Sequence, residues 1–261
     1  MRKLLSANFF RLRTSKIFFI ELICISLLAV IEVIVAAIQH RIHLSYGTSI
    51  RLVSIFFGFA LFIGVFIAIF CSLYNGTEYS DGTLRNKIIS GHLRRSIYFA
   101  NLIANIAAAL LLCAAYLVTV IFLGTPLLGF AAQAPWEIFL KLLGTIALVI
   151  SFCSIATLIS MLLQDKAIIA IAELLVIAIF SVICFMLNDY PDWQSERAGI
   201  IYYICVFFHS VLPMGQSVQY ADVDYAALSG AHIGMMIFYA LLVSLVTSVT
   251  GCVIFERRNL R

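Results

Sequence analysis

The sequence predicts an all-α, polytopic membrane protein: six transmembrane helices, an interfacial amphipathic helix at the start and a re-entrant element before the last span. Three observations lead there. Of 261 residues, 63% are hydrophobic and only 11% charged, with a mean hydropathy of +1.08, whereas a soluble domain keeps about a quarter of its residues charged to wet its surface. The apolar residues are gathered in six runs of the length that crosses a bilayer, about 20 residues. The basic residues collect in alternate gaps between those runs, which is the signature of membrane topology and not of nucleic-acid binding.

The runs fall at 17–38, 53–73, 102–123, 138–163, 167–187 and 232–254. The first is too long for a signal-peptide core, although Arg2 and Lys3 precede it. The fourth is long enough to tilt or to leave the membrane. A shorter run at 200–212 ends at Pro213 and falls short of the hydrocarbon thickness. Its flanks are acidic, with Asp189, Asp192 and Glu196 before it and Asp222 and Asp224 after it. Two flanks alike in charge belong on one side of the membrane, so this run reads as re-entrant or interfacial.

Orientation follows from Lys and Arg. Thirteen of them lie on one side: Arg2, Lys3, Arg11, Arg13, Lys16, Arg85, Lys87, Arg94, Arg95, Lys166, Arg257, Arg258 and Arg261. The other side has Arg41, Arg51 and Arg197, with Lys141 just inside its span. Both termini are therefore expected in the cytoplasm.

Residues 1–16 place Leu5, Phe9 and Leu12 on one helical face and Arg2, Ser6 and Arg13 on an adjoining one, blurred by Leu4 and Phe10. Such a helix lies in the cytoplasmic interface; a plain basic flank is the alternative. In the loop 74–100, Ser80 or Asp81 is a candidate cap for a short helix and Gly91 a terminator. Leu84 and Ile88 share a face of that helix while Arg85 and Lys87 point elsewhere. This describes either a docking knob for a soluble partner or an ordinary solvated loop. Asn75-Gly76-Thr77 matches a glycosylation site but falls on the cytoplasmic side.

Glu21, Glu32 and Glu173 lie within spans, where an ionisable group is costly and marks a functional site by default. They line a path for cationic or amphipathic cargo, or they serve structure by snorkelling and interhelical hydrogen bonds. Gly230-x-x-x-Gly234 permits a close helix contact but is weak as a signal. The seven cysteines sit in or beside apolar runs without a C-x-x-C pair, so neither disulfide nor metal is expected. No phosphate loop, dinucleotide fingerprint, H-E-x-x-H or G-x-S-x-G occurs. No catalytic residue and no cofactor in this chain is therefore expected, and the chain is not read as an enzyme.

The segment Glu78-Tyr79-Ser80-Asp81-Gly82-Thr83-Leu84-Arg85-Asn86-Lys87 resembles the E-Y-x-x-G-T-x-[RK] loop of membrane subunits of type-2 ABC exporters. It is most similar to the small bacterial permeases of bacitracin and lantibiotic self-protection and to related multidrug exporters. The layout of the whole chain matches, and Leu212-Pro213-x-Gly215-Gln216 resembles their outer segment. The resemblance implies a single permease domain over 1–261, with a cytoplasmic coupling loop at 74–100 and an extracellular, re-entrant segment at 188–230. It implies that Glu78, Tyr79, Gly82, Thr83 and Arg85 lie at or beside the contact with a cytoplasmic ABC ATPase. The resemblance implies that the turn Gln164, Asp165 and Lys166 makes the second contact. It further implies a second permease chain, identical or related, in a bacterial plasma membrane, with ATP and Mg held by the ATPase. An ion-driven carrier using Glu32 and Glu173 is the rival reading, and a scaffold or sensor subunit is a third.

Overall fold

The computed structural model describes residues 1–45, 53–129, 135–194, 200–221 and 230–257, and among them it is helical throughout apart from short connections. Arg51, Arg197, Arg258 and Arg261, and the acids Glu196, Asp222 and Asp224, lie outside the described residues. The helices are α1 (Arg2–Thr14), α2 (Lys16–Ser45), α3 (Val53–Phe56), α4 (Phe59–Ser80), α5 (Thr83–Ile89) and α6 (Arg94–Leu128). They continue with α7 (Pro135–Leu162), α8 (Lys166–Gln194), α9 (Ile200–Val211), α10 (Pro213–Ala221) and α11 (Gly230–Arg257). Six of them, α2, α4, α6, α7, α8 and α11, are long and apolar enough to cross a bilayer. The chain is an all-helical, multi-pass membrane protein.

Several boundaries differ from the sequence expectation. The second span starts at Phe59 instead of residue 53, because α3 is a separate single turn. It then runs on to Ser80, so the start of the expected loop continues the helix. At the other end of that loop α6 begins at Arg94 and has 35 residues, about 52 Å at 1.5 Å per residue. The hydrocarbon core is about 30 Å thick, so α6 projects well beyond it. What remains of the loop is α5 and two tight connections.

The cap of α5 is neither Ser80 nor Asp81. It is Gly82, at φ 67° and without a side-chain capping bond. The left-handed conformation reverses the chain between α4 and α5, and an L side chain adopts it only with strain. Gly91, also at positive φ (84°), follows α5 as expected.

Helix α7 sits at the centre, against α4, α6, α10 and α11. One face of α7 alone could not hold so many neighbours, and the sequence solves this with polar side chains three residues apart: Ser154, Thr157 and Ser160. A step of three residues turns about 60° short of a full circle, so successive side chains point to different neighbours. Ser160 Oγ accepts from Asn75 Nδ2 of α4 at 2.8 Å, and Thr157 Oγ1 from Asn105 Nδ2 of α6 at 2.9 Å. Ser154 Oγ lies 2.8 Å from Thr247 Oγ1 of α11. Because lipid offers no hydrophobic drive between helices, such bonds and close packing supply the specificity.

The start of α1 is also oriented differently from the expectation. Its buried stripe is Leu4, Asn8 and Leu12, turned onto the protein, while Phe9 and Phe10 are exposed. Leu12 thus belongs to the protein-facing side and not to a shared face with Phe9.

Candidate functional site

The loop singled out by the sequence folds around Glu78, whose side chain is 1% exposed. Its Oε1 accepts from Arg11 Nη1 and Lys87 Nζ, both at 2.5 Å, and its Oε2 from Asn101 Nδ2 at 2.9 Å. Asn8 completes the group: its Nδ2 donates to Asn101 Oδ1 at 2.6 Å, and its Oδ1 accepts from Lys87 Nζ at 3.1 Å. Tyr74 donates to the Asn8 carbonyl at 2.8 Å and carries the Arg11 guanidinium 3.7 Å over its ring. One carboxylate thereby ties α1, α4, α5 and α6 together. Burial pulls the Lys87 ammonium below its ordinary value, against the opposing pull of Glu78.

The two cytoplasm-assigned segments meet here. Tyr79 donates to the Met161 carbonyl at 2.6 Å, covering an orphan acceptor at the end of α7. Gly76 lies against Lys166, close enough that a Cβ there would come within 3.3 Å of the Lys166 backbone. Glu78, Tyr79, Gly82 and Arg85 from one segment and Gln164 from the other line a single cleft of about 300 Å³. Thr83 is exposed beside it, its hydroxyl 3.3 Å from the Glu78 carbonyl. Asp165 is the N-cap of α8, accepting from Ala167 N at 2.9 Å, so Lys166 is helical and the turn is residues 163–165.

Glu78 lines the cleft while its carboxylate is engaged in its own network. One expectation about this surface is corrected. The Leu84–Ile88 ridge faces inward, packed with Leu4, Ile97 and Phe255. The apolar residues that do face out are Ile89 (73% exposed) and Leu93 (74%).

The three intramembrane glutamates divide. Glu32 is half-buried and takes a hydrogen bond from the Tyr116 hydroxyl, which also lies 2.9 Å from the Ile55 carbonyl. Glu21 and Glu173 are 5% and 2% exposed, and none of their four carboxyl oxygens has a hydrogen-bond partner among the described residues. They stand on α2 and α8, both of which pack on α4, whereas Glu32 is paired with Tyr116 of α6.

A second polar group, unforeseen from the sequence, joins α9, α10 and α11. Pro213 lacks the N–H that the His209 carbonyl would receive in a continuous helix. Gln219 Nε2 covers that carbonyl at 3.2 Å and also lies 2.8 Å from His209 Nδ1. Its Oε1 lies 2.8 Å from His232 Nε2. Gln216 Nε2 donates to the carbonyls of Ser210 (2.7 Å) and Met236 (3.1 Å). Gly215 permits the approach, since a Cβ there would overlap the His209 carbonyl. The readable signal was the pair of glutamines after Pro213. For the Glu78 network it was Asn8, polar in the middle of a Leu4–Leu12 stripe, and Asn101 at the edge of an apolar run.

Among the described residues no three His, Cys, Asp or Glu groups stand together as a metal site. The described cysteines, Cys24, Cys71, Cys113, Cys153, Cys184 and Cys252, are free thiols. No family model, curated protein or solved structure matches the chain.

Proposed function

We propose that this chain is the permease subunit of a bacterial ABC exporter, coupling ATP hydrolysis on a separate ATPase to export of an amphipathic or antimicrobial peptide or drug. The observation that carries the reading is the cleft at the Glu78 network. There the motif E-Y-x-x-G-T folds as a helix end, a left-handed glycine and a short helix, beside the turn that precedes α8. In this reading α1 lies in the cytoplasmic interface, α9 and α10 form a re-entrant element on the outer side, and the termini are cytoplasmic. Two permease chains, identical or related, sit in the plasma membrane above two ATPase subunits, which hold the ATP and Mg.

The chain's own part is mechanical. The outward residues Arg85, Ile89 and Gln164 offer the contact, and Glu78 makes α5 rigid with α1, α4 and α6. A push on α5 therefore moves the inner ends of two spans together instead of bending a loop.

The test is recovery of the chain from its native host in mild detergent. A co-purifying soluble ATPase with vanadate-sensitive turnover supports the reading. A chain that purifies alone, under conditions preserving known ABC complexes, rejects it. The unpartnered Glu173 favours one rival, an ion-driven carrier, for which transport follows an ion gradient with no ATPase.

A further inference from the structure

Glu173 lines a cavity of about 20 Å³ between α4, α7 and α8. Its other walls include Gly64, Ala68, Phe152, Ala156 and Val176, all without a polar side-chain group. The carboxyl is 98% buried by its 2% exposure, and neither oxygen has a hydrogen bond or an ion pair among the described residues. Glu21, on α2, is likewise buried with no hydrogen-bond partner among the described residues. Ionised, a carboxyl without a partner in such surroundings is strongly destabilising, so it holds its proton until a cation arrives to pair with it.

The dimensions and the walls select the cation. About 20 Å³ is room for one water-sized group. A divalent metal ion takes six or more oxygen ligands, or a set of N and S donors, and these walls offer one carboxylate. A guanidinium or a trimethylammonium group spans several heavy atoms. A primary ammonium is a single nitrogen of about the size of water.

We propose that the Glu173 cavity seats the primary ammonium group of a membrane-partitioned amine, such as an alkylamine or a lysine side chain of an amphipathic peptide. That this amine is the cargo rests on the exporter reading; that it binds here does not.

The test uses the purified chain in lipid nanodiscs at neutral pH, where an alkylamine is charged. Its thermal midpoint is followed against octylammonium, octyltrimethylammonium and octanol. A ligand that binds the folded state raises the midpoint as its concentration passes the dissociation constant. Octylammonium is expected to raise it, and the other two are not. Glu173→Gln weakens the octylammonium response at least about tenfold. Ala156→Val, which narrows the cavity and keeps the carboxyl, does the same. The proposal is overturned if Glu173→Gln responds like the wild type, or if the three probes act alike. A midpoint that follows pH through Glu173 yet ignores octylammonium marks a proton site and also overturns it. Absent amine binding beside a co-purifying ATPase rejects this inference alone. A missing ATPase rejects the exporter reading and leaves the binding result standing.

Discussion

Replacing Glu78 with glutamine keeps the shape of the side chain and removes its charge, which tests whether the network holds the inner ends of the helices. Both cations, Arg11 and Lys87, lie on Oε1, while Asn101 donates to Oε2. An amide has one acceptor oxygen, so in either orientation its NH2 faces a donor. Breaking a fully buried ion pair costs about 3–5 kcal/mol. Arg11 and Lys87 keep 29% and 16% of their side chains exposed and can turn partly to water, so the lower end, about 3 kcal/mol, is the expectation. Reversible unfolding with sodium dodecyl sulfate in mixed micelles measures it. Adding Lys87→Met to Glu78→Gln removes one of the stranded cations, so the double variant is expected to lose about 1–2 kcal/mol less than the sum of the singles. A Glu78→Gln variant within about 0.5 kcal/mol of wild type would refute the reasoning. So would a strictly additive cycle. On the exporter reading proposed above, the same variant is expected to uncouple nucleotide hydrolysis from transport while remaining inserted in the membrane.

The other predictions concern backbone, interior and outer side. Gly82→Ala meets nothing within 4 Å, so its cost is conformational alone, about 1 kcal/mol, read by the same unfolding titration. Asn105→Ala removes the 2.9 Å bond to Thr157 and is expected to cost about 1 kcal/mol; a loss above about 4 kcal/mol would mean that packing, not the bond, was removed. Burial, and then the neighbouring His232, hold the His209 imidazole below its ordinary value of 6.5. The folded chain then refuses a proton that the unfolded chain accepts, so this contribution is complete above about pH 6.5 and is lost as pH falls below it. His209→Asn should flatten that part of the thermal-midpoint profile, and Gln219→Glu, which offers an acceptor to a protonated ring, should reverse its sign.

Apolar run length made the six long helices legible, because a span must bury its backbone bonds within itself and clothe them in apolar side chains. The helix ends were not, since backbone bonding in α4 and α6 continues into polar sequence where hydropathy falls silent. The period of α5 was readable too, but periodicity says that Leu84 and Ile88 share a face, not which way the face points. That direction depends on α1, whose Leu4 comes from 80 residues upstream to cover it. The glutamates stood out by rarity alone. Tyr116 could not be matched to Glu32 at a separation of 84 residues, nor could the sequence reveal that Glu21 and Glu173 find no hydrogen-bond partner among the described residues.

The three polar contacts around α7 also bear on how the chain is made. Asn75 and Asn105 belong to helices synthesised before α7, so each enters the membrane with an amide whose acceptor does not yet exist. Thr157 and Ser160 supply acceptors for their NH2 groups only when α7 arrives, and Thr247 adds its bond to Ser154 when α11 follows. A nascent chain halted before α7 thus lacks the acceptors that Asn75 and Asn105 bond in the finished chain.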